Sequence, residues 1–306
     1  MTLPDPTHSS VVRDRARGAF LGLAVGDALG TSLEFSRRDT LSHHTEMTGG
    51  GPFDLQPGQW TDDTSMALAL AESLLQAGPF DPHDLATRFV AWWKQGAYSC
   101  TGACFDIGLT TRDALARFVE TGRAESGSTD PDTAGNGSLM RLAPVALATL
   151  HDPREAERIA EAQSRTTHGA PESVEACTYV VQLLRQAILG EADVLQPRAA
   201  SCADSTAVEA IARGSWRGKT RAGIRSSGYV IHTLEAALWA VGRTETFEDA
   251  LILAVNLGDD ADTVGAVTGQ LAGARYGASA IPERWLRPLA WRERIVDLAD
   301  ALVAKA

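Results

Sequence analysis

Cysteine is scarce in this 306-residue chain. Only four occur (Cys100, Cys104, Cys177 and Cys202), and only the first two are close in sequence. No nearby histidine or second cysteine pair completes zinc-ligand spacing around them. So few thiols over this length point to reduced cysteines in a cytoplasmic protein. Long apolar runs are also lacking, so no membrane span is expected. The segment "RDRARGAFLGLAVGDALG" superficially resembles a signal peptide, but Gly18, Gly22 and Gly26 interrupt it and Asp27 follows its apolar run. It reads instead as the glycine-rich first helix of the mature fold. Positive charge is in deficit: the net charge of −11 argues against a general nucleic-acid-binding role. Solenoid repeats, low-complexity tracts and Pro/Ser linkers are missing too. "GSWRGKT" fails as a phosphate-binding loop because Arg213 stands where that pattern needs glycine.

What is present is mostly helical in period, rich in Ala and Leu, with little strand-like alternation. A hydrophobic content of 44% supports a sizeable core. The economical architecture is one all-α domain over residues 1–306, with residues 1–10 flexible. Helices are expected in "MALALAESLLQAG", stopping at Gly78, and in "PHDLATRFVAWWKQG", stopping at Gly96. Further helices are expected in "TTRDALARFVETG", "PREAERIAEAQSRT", "PESVEACTYVVQLLRQAILG", "TFEDALILAVN" and "RERIVDLADALVAK". Residues 36–60, 97–107 and 122–137 are polar connections too long for simple turns, and loops of that length tend to carry function.

Two acidic clusters stand out. "QWTDDTSMALALAESLL" places Thr61, Asp62, Asp63 and Thr64 at a helix start, and "NLGDDADTVGAVTGQLAGARYG" places Asp259, Asp260, Asp262 and Thr263 at another. Helix capping explains one aspartate at such a position, not three. Facing each other, the clusters would gather carboxylate and hydroxyl oxygens at one point, a donor set suited to Mg²⁺, Mn²⁺ or Ca²⁺. The spacing is not that of an EF-hand. After the second cluster, Gly265, Ala266, Gly269, Ala272 and Gly273 form a small-residue face that admits a neighbouring backbone. "GNGSLMRLAPVAL" and "SSGYVIHTLEAALWA" supply glycine-rich backbone before helices, suited to a phosphate or another anion.

Together, "GAFLGLAVGDALG…E", "WTDDTSMALALAESL", "GNGSLMRLAPVAL", "THG" and "NLGDDADTVGAVTGQLAGARYG" resemble the ADP-ribosylglycohydrolase family, in family order over most of the chain. "STGACFDIGLTTRDAL" and "GYVIHTLEAALW" are similar to the branch that removes ADP-ribose from an arginine of dinitrogenase reductase. The resemblance implies an all-α orthogonal bundle with a dinuclear Mg²⁺ or Mn²⁺ centre. Its implied metal ligands are Thr61, Asp62, Asp63, Asp260, Asp262 and Thr263. Glu34 and Asp106 become the acid/base candidates. Asp106, Gly108, Asn136, Gly137, Ser138, His168, Gly228, Tyr229 and Val230 would line the ADP-ribose cleft. The implied partner is an ADP-ribosylated protein, with ADP-ribose as product. Ala103 stands where nitrogen-regulatory members often carry Arg, which bears on the protein substrate more than on the chemistry. The alternatives are a same-fold hydrolase of a serine, O-acetyl or nucleic-acid linkage, and a non-catalytic ADP-ribose-binding protein.

Overall fold

Every fourth residue along one face of the first helix is glycine, and the consequence is a contact between two bare backbones. The computed structural model describes residues 6–197 and 205–306, with only the backbone of residues 6–9. Its helices are α1 (Pro6–Gly30), α2 (Asp62–Leu74), α3 (Pro82–Gln95), α4 (Leu109–Thr121), α5 (Ala143–Ala148), α6 (Pro153–Arg165) and α7 (Pro171–Leu189). They continue with α8 (Thr206–Ala212), α9 (Val230–Arg243), α10 (Phe247–Val255), α11 (Ala261–Tyr276), α12 (Glu283–Leu286) and α13 (Arg292–Lys305). Among the described residues there is no strand; three isolated bridges, such as Gly135 with Tyr229, tie loops together. The all-α expectation holds. No helix of the described residues is long and apolar enough to cross a membrane.

Gly18, Gly22, Gly26 and Gly30 of α1 oppose Gly273, Gly269, Gly265 and Ala261 of α11, so the two helices run antiparallel. A Cβ on any of those four α1 glycines would strike the opposing main-chain carbonyl. Each glycine inside a helix costs about 1 kcal/mol in propensity. Close packing along Gly18–Gly30 and Ala261–Gly273 offsets that cost. The register has a functional consequence. It sets the C-terminal end of α1, which carries Asp27 in its last turn and Glu34 just beyond, beside the start of α11. Around this pair the core closes with large buried side chains, among them Trp60, Trp92, Trp239 and Trp285.

Most expected helices appear, and their stops follow local chemistry. Gly96, Gly122 and Gly190 adopt the left-handed conformation just after α3, α4 and α7. Two boundaries differ. Helix α2 ends at Leu74, and Gly78 lies beyond it in an open turn at φ 94°. The Gly135–Ser138 stretch does not open a helix: Leu139 and Met140 N–H both donate to the Asn136 carbonyl in a turn, and α5 begins only at Ala143. Of residues 1–10, expected to be flexible, 1–5 lie outside the described residues and α1 begins at Pro6. Cys202 also lies outside them; Cys100, Cys104 and Cys177 are free thiols.

Candidate active site

Helix capping does not account for the acidic clusters. Neither Thr61 before α2 nor Asp260 before α11 makes a side-chain cap to its own helix. Asp27 of α1 does that work for α2 instead. One of its oxygens accepts from Thr61 N (2.9 Å) and Thr61 Oγ1 (3.0 Å), and the other from Thr64 N (3.0 Å) and Thr64 Oγ1 (2.6 Å). Asp62 and Asp63 are thereby left in the first turn of α2, with Asp63 facing Asp262 of α11.

A second tether fixes Glu34. Phe35 N–H donates to the Asp259 carbonyl (2.7 Å) and Asp259 N–H returns a bond to the Ser36 carbonyl (2.8 Å). Phe35 and Asp259 are both held at positive φ, 59° and 62°, an uncommon conformation for such residues. Asp106, also left-handed at φ 58°, enters from the loop before α4. Carboxylate oxygens of Asp27, Asp63 and Asp262 lie within 4.8 Å of one another, and so do those of Glu34, Asp106 and Asp262. Asp262 belongs to both groups. Thr61 Oγ1 reaches Asp63 (3.3 Å) and Asp262 (3.4 Å). Asp260 accepts a 2.6 Å bond from Asn136 Nδ2, which also donates to Thr233 Oγ1 at 2.9 Å.

So many buried carboxylates without cations resist ionisation. Burial, and then the neighbouring Asp106 and Asp260 charges, push Glu34 up to about 9. Burial, then Asp27 and Asp260, raise Asp106 to about 7. Burial lifts Asp62, Asp63 and Asp262 well above the usual carboxylate range, with like charges adding to it. A hard divalent cation fits this donor set: it is oxygen-only, and among the described residues the buried Asp63 Oδ1 and Glu34 Oε2 have no hydrogen-bond partner. These acidic groups can therefore hold metal.

The centre floors a cleft of about 570 Å³. Glu34, Asp62, Asp106, Asp260, Asp262 and Thr263 line it together with Gly108, Asn136, Gly137, His168 and Gly228. Thr61 and Asp63 sit behind that surface, fully buried. Tyr229 lines an adjoining hollow of about 940 Å³, which shares Thr110, Gly135 and Gly228 with the cleft. The Tyr229 hydroxyl donates to Glu172 at 2.5 Å. Two expected cleft residues are placed elsewhere. Ser138 is fully buried, its hydroxyl receiving a 2.8 Å bond from Ser164. Val230 is also fully buried, and its N–H is engaged by the Ala134 carbonyl at 3.0 Å. His168 lies under the Gly-Asn-Gly turn, where a Cβ on Gly137 would be forced onto its ring. Burial, then Arg141, push its imidazole down to about 3, so it is neutral.

Two further contributors are each the lone charge of an otherwise uncharged segment. Asp27 is the only charge between Gly18 and Leu33, and Arg141 the only one between Gly135 and Leu150. The Arg141 guanidinium, fully buried, donates to the Gln163 side chain (2.8 Å) and backbone (2.7 Å) and lies 4.5 Å over the Phe89 ring. It anchors the segment after the Gly-Asn-Gly turn onto α6.

A helical domain whose separate segments converge as oxygen donors on the floor of a long cleft is built for hydrolysis assisted by hard cations. The family is identifiable as well: the ADP-ribosylglycohydrolase model matches residues 8–306, and the chain belongs to that family. It is similar, at 48% identity over 291 residues, to a Serratia proteamaculans protein named ADP-ribosylarginine hydrolase Tri1, covering 94% of this chain and 79% of that one. The ADP-ribosyl-[dinitrogen reductase] glycohydrolase of Rhodospirillum rubrum is 38% identical over 301 residues, covering 96% of this chain and 97% of the relative. A solved structure described as an ADP-ribosylglycohydrolase-related protein complex superposes with a TM-score of 0.85 at 46% identity, covering 97% of this chain and 99% of that one.

Proposed function

We propose that this glycohydrolase cleaves the bond between ADP-ribose and an arginine side chain of a modified protein, using two Mg²⁺ or Mn²⁺ ions. Support comes chiefly from one observation: Glu34 and Asp106 meet Asp262 over the acidic floor of a single cleft, in a chain 48% identical to a protein named for ADP-ribosylarginine hydrolysis. Thr61, Asp62, Asp63, Asp260, Asp262 and Thr263 would hold the ions, with Asp27 and Glu34 beside them. Bound there, the cations supply positive charge that orients the ribose hydroxyls and the attacking water.

The protein's own groups divide the rest of the reaction. The water oxygen bonds to the anomeric carbon as the carbon–nitrogen bond to the guanidine breaks, through an oxocarbenium-like transition state. Surrounding carboxylates stabilise the positive charge developing on the ring. Asp106, which enters the cleft from the loop before α4 beside Glu34 and Asp262, would pass a proton to the departing guanidine nitrogen. Glu34 takes the proton from water. In the metal-free protein its raised affinity for protons would prevent that role, and adjacent cations reverse the shift. Gly108, the Gly135–Gly137 turn and Gly228 offer close backbone approach for the diphosphate, and Tyr229 a ring wall for the adenosine.

The test is release of ADP-ribose from ADP-ribosylated agmatine and from a serine-linked peptide, each after chelation and after adding back Mn²⁺, Mg²⁺ or Zn²⁺. Arginine-type cleavage should disappear on chelation and return with Mn²⁺ or Mg²⁺ but poorly with Zn²⁺, and it should exceed serine cleavage at least tenfold. Equal or faster serine cleavage, or full activity in metal-analysed chelated protein, would overturn the reading.

A further inference from the structure

The mouth of the cleft carries apolar side chains that the hydrolytic chemistry does not use. Phe35 is 67% exposed and Leu109 is 68% exposed, and they stand at the cleft mouth beside Glu34 and Gly108 respectively. Phe35 packs edge-on against Phe53 with centroids 6.4 Å apart, and Phe53 meets Phe105 at 5.2 Å. Three of the chain's eight phenylalanines thus form one row, of which Phe35 lines the cleft. The first of them sits in a left-handed backbone, φ 59°, unusual for a bulky side chain. The tether to Asp259 imposes that backbone, but it does not require an aromatic ring. Asparagine would adopt the same conformation more readily, and a polar side chain would leave less apolar surface in water.

We propose that Phe35 and Leu109 form a docking rim for the polypeptide carrying the modified arginine, with an apolar side chain next to that arginine seated between them. The inference rests on the arginine-linked reading above. Charge and position identify the occupant. The acidic floor draws the guanidinium-bearing side chain inward, and its backbone must then cross the mouth at the height of this rim. A small ADP-ribosylated guanidine has no main chain and reaches only the floor. Apolar anchors ringed by polar surface are the usual source of affinity in such contacts. The enzyme would thereby distinguish arginines in an apolar sequence setting from those among charged neighbours, without altering the reaction itself.

The experiment compares Phe35→Asn and Leu109→Ser with the unaltered protein on two substrates: ADP-ribosylated agmatine, and a peptide ADP-ribosylated on an arginine flanked by leucines. Asparagine at 35 keeps the left-handed backbone accessible, and thermal melting confirms that both variants fold. Leu109→Ser should raise KM for the peptide about tenfold with kcat nearly unchanged and leave kcat/KM for agmatine within twofold; Phe35→Asn, at a position whose backbone also tethers Glu34, should lower the peptide-to-agmatine ratio of kcat/KM about tenfold. A matched peptide with aspartates flanking the arginine should be the poorer substrate of the unaltered protein and insensitive to either change. Equal losses on agmatine and peptide would place these side chains in the reaction cleft and overturn the proposal. Unchanged peptide kinetics would overturn it as well. If the unaltered protein leaves ADP-ribosylated agmatine intact, the arginine reading itself fails, and the rim falls with it.

Discussion

Asp27 shows how much a single buried carboxylate organises. It accepts four bonds from the backbone and hydroxyls of Thr61 and Thr64, and so fixes the first turn of α2 from another helix. An amide in its place would turn an NH₂ toward two of those donors, while the remaining oxygen served the other two. Asp27→Asn should weaken Mn²⁺ affinity by about 10- to 100-fold and lower the melting temperature of the metal-free protein; calorimetric titration and thermal melts check both. Asp63→Asn should behave in the opposite way toward stability. Asp63 Oδ1 has no partner among the described residues, and its charge is opposed by Asp27 and Asp260. Removing that charge should raise metal-free stability while abolishing stabilisation by Mn²⁺. A large loss of metal-free stability would instead make Asp63 a structural residue. The clusters themselves were legible in the sequence because their composition exceeds what capping needs. The part played by Asp27 was not, because its hydrogen bonds join residues 34 and 37 positions apart and no local pattern encodes them.

At the scale of elements, the α1–α11 pair is what brings the two ends of the chain's chemistry together. The small-residue face of α11 was readable from spacing as a surface for close packing, and the glycines of α1 were visible as well. That these two faces meet is a tertiary fact, and spacing within either segment does not name its partner. The same limit explains Ser138 and Val230. Both belong to stretches that reach the cleft, but in each turn only some residues face it, and the turn geometry that decides which was not encoded in a helix-start pattern. Short α8 and α12 are not legible in the sequence, because four to seven residues show too little periodicity to be distinguished from loop. Gly22→Ala tests the pair directly. The new Cβ would be driven into the Gly269 carbonyl, with the buried Phe247 ring also close at 3.1 Å, and the main-chain clash has no flexible side chain to yield. The gain of about 1 kcal/mol in helix propensity is smaller than the roughly 1–3 kcal/mol of overpacking. Urea denaturation should therefore show net destabilisation, with metal affinity reduced as the ends of the helices move apart. Unchanged stability would mean that the helices separate without cost.

For the whole molecule, the acidic centre makes stability depend jointly on pH and on cations. In the metal-free protein, Glu34 is raised to about 9, Asp106 to about 7 and Asp27 to about 6, all above their values in an unfolded chain. The folded state therefore binds more protons than the unfolded state between about pH 4.5 and 9. Stability from these groups is full below the unfolded values and is lost as pH rises through the folded ones. Metal ions compete for the same oxygens, so their binding should release protons and remove the penalty. The metal-free protein should melt at least about 3 °C lower at pH 8.5 than at pH 6.0, and saturating Mn²⁺ should erase most of that difference. Calorimetric titration of Mn²⁺ at pH 7 in buffers of different ionisation enthalpy should show net proton release. A metal-free melting temperature that rises from pH 6.0 to 8.5, or metal binding without proton release, would mean that the carboxylates are already ionised without cations. Another source of positive charge would then have to balance the fold.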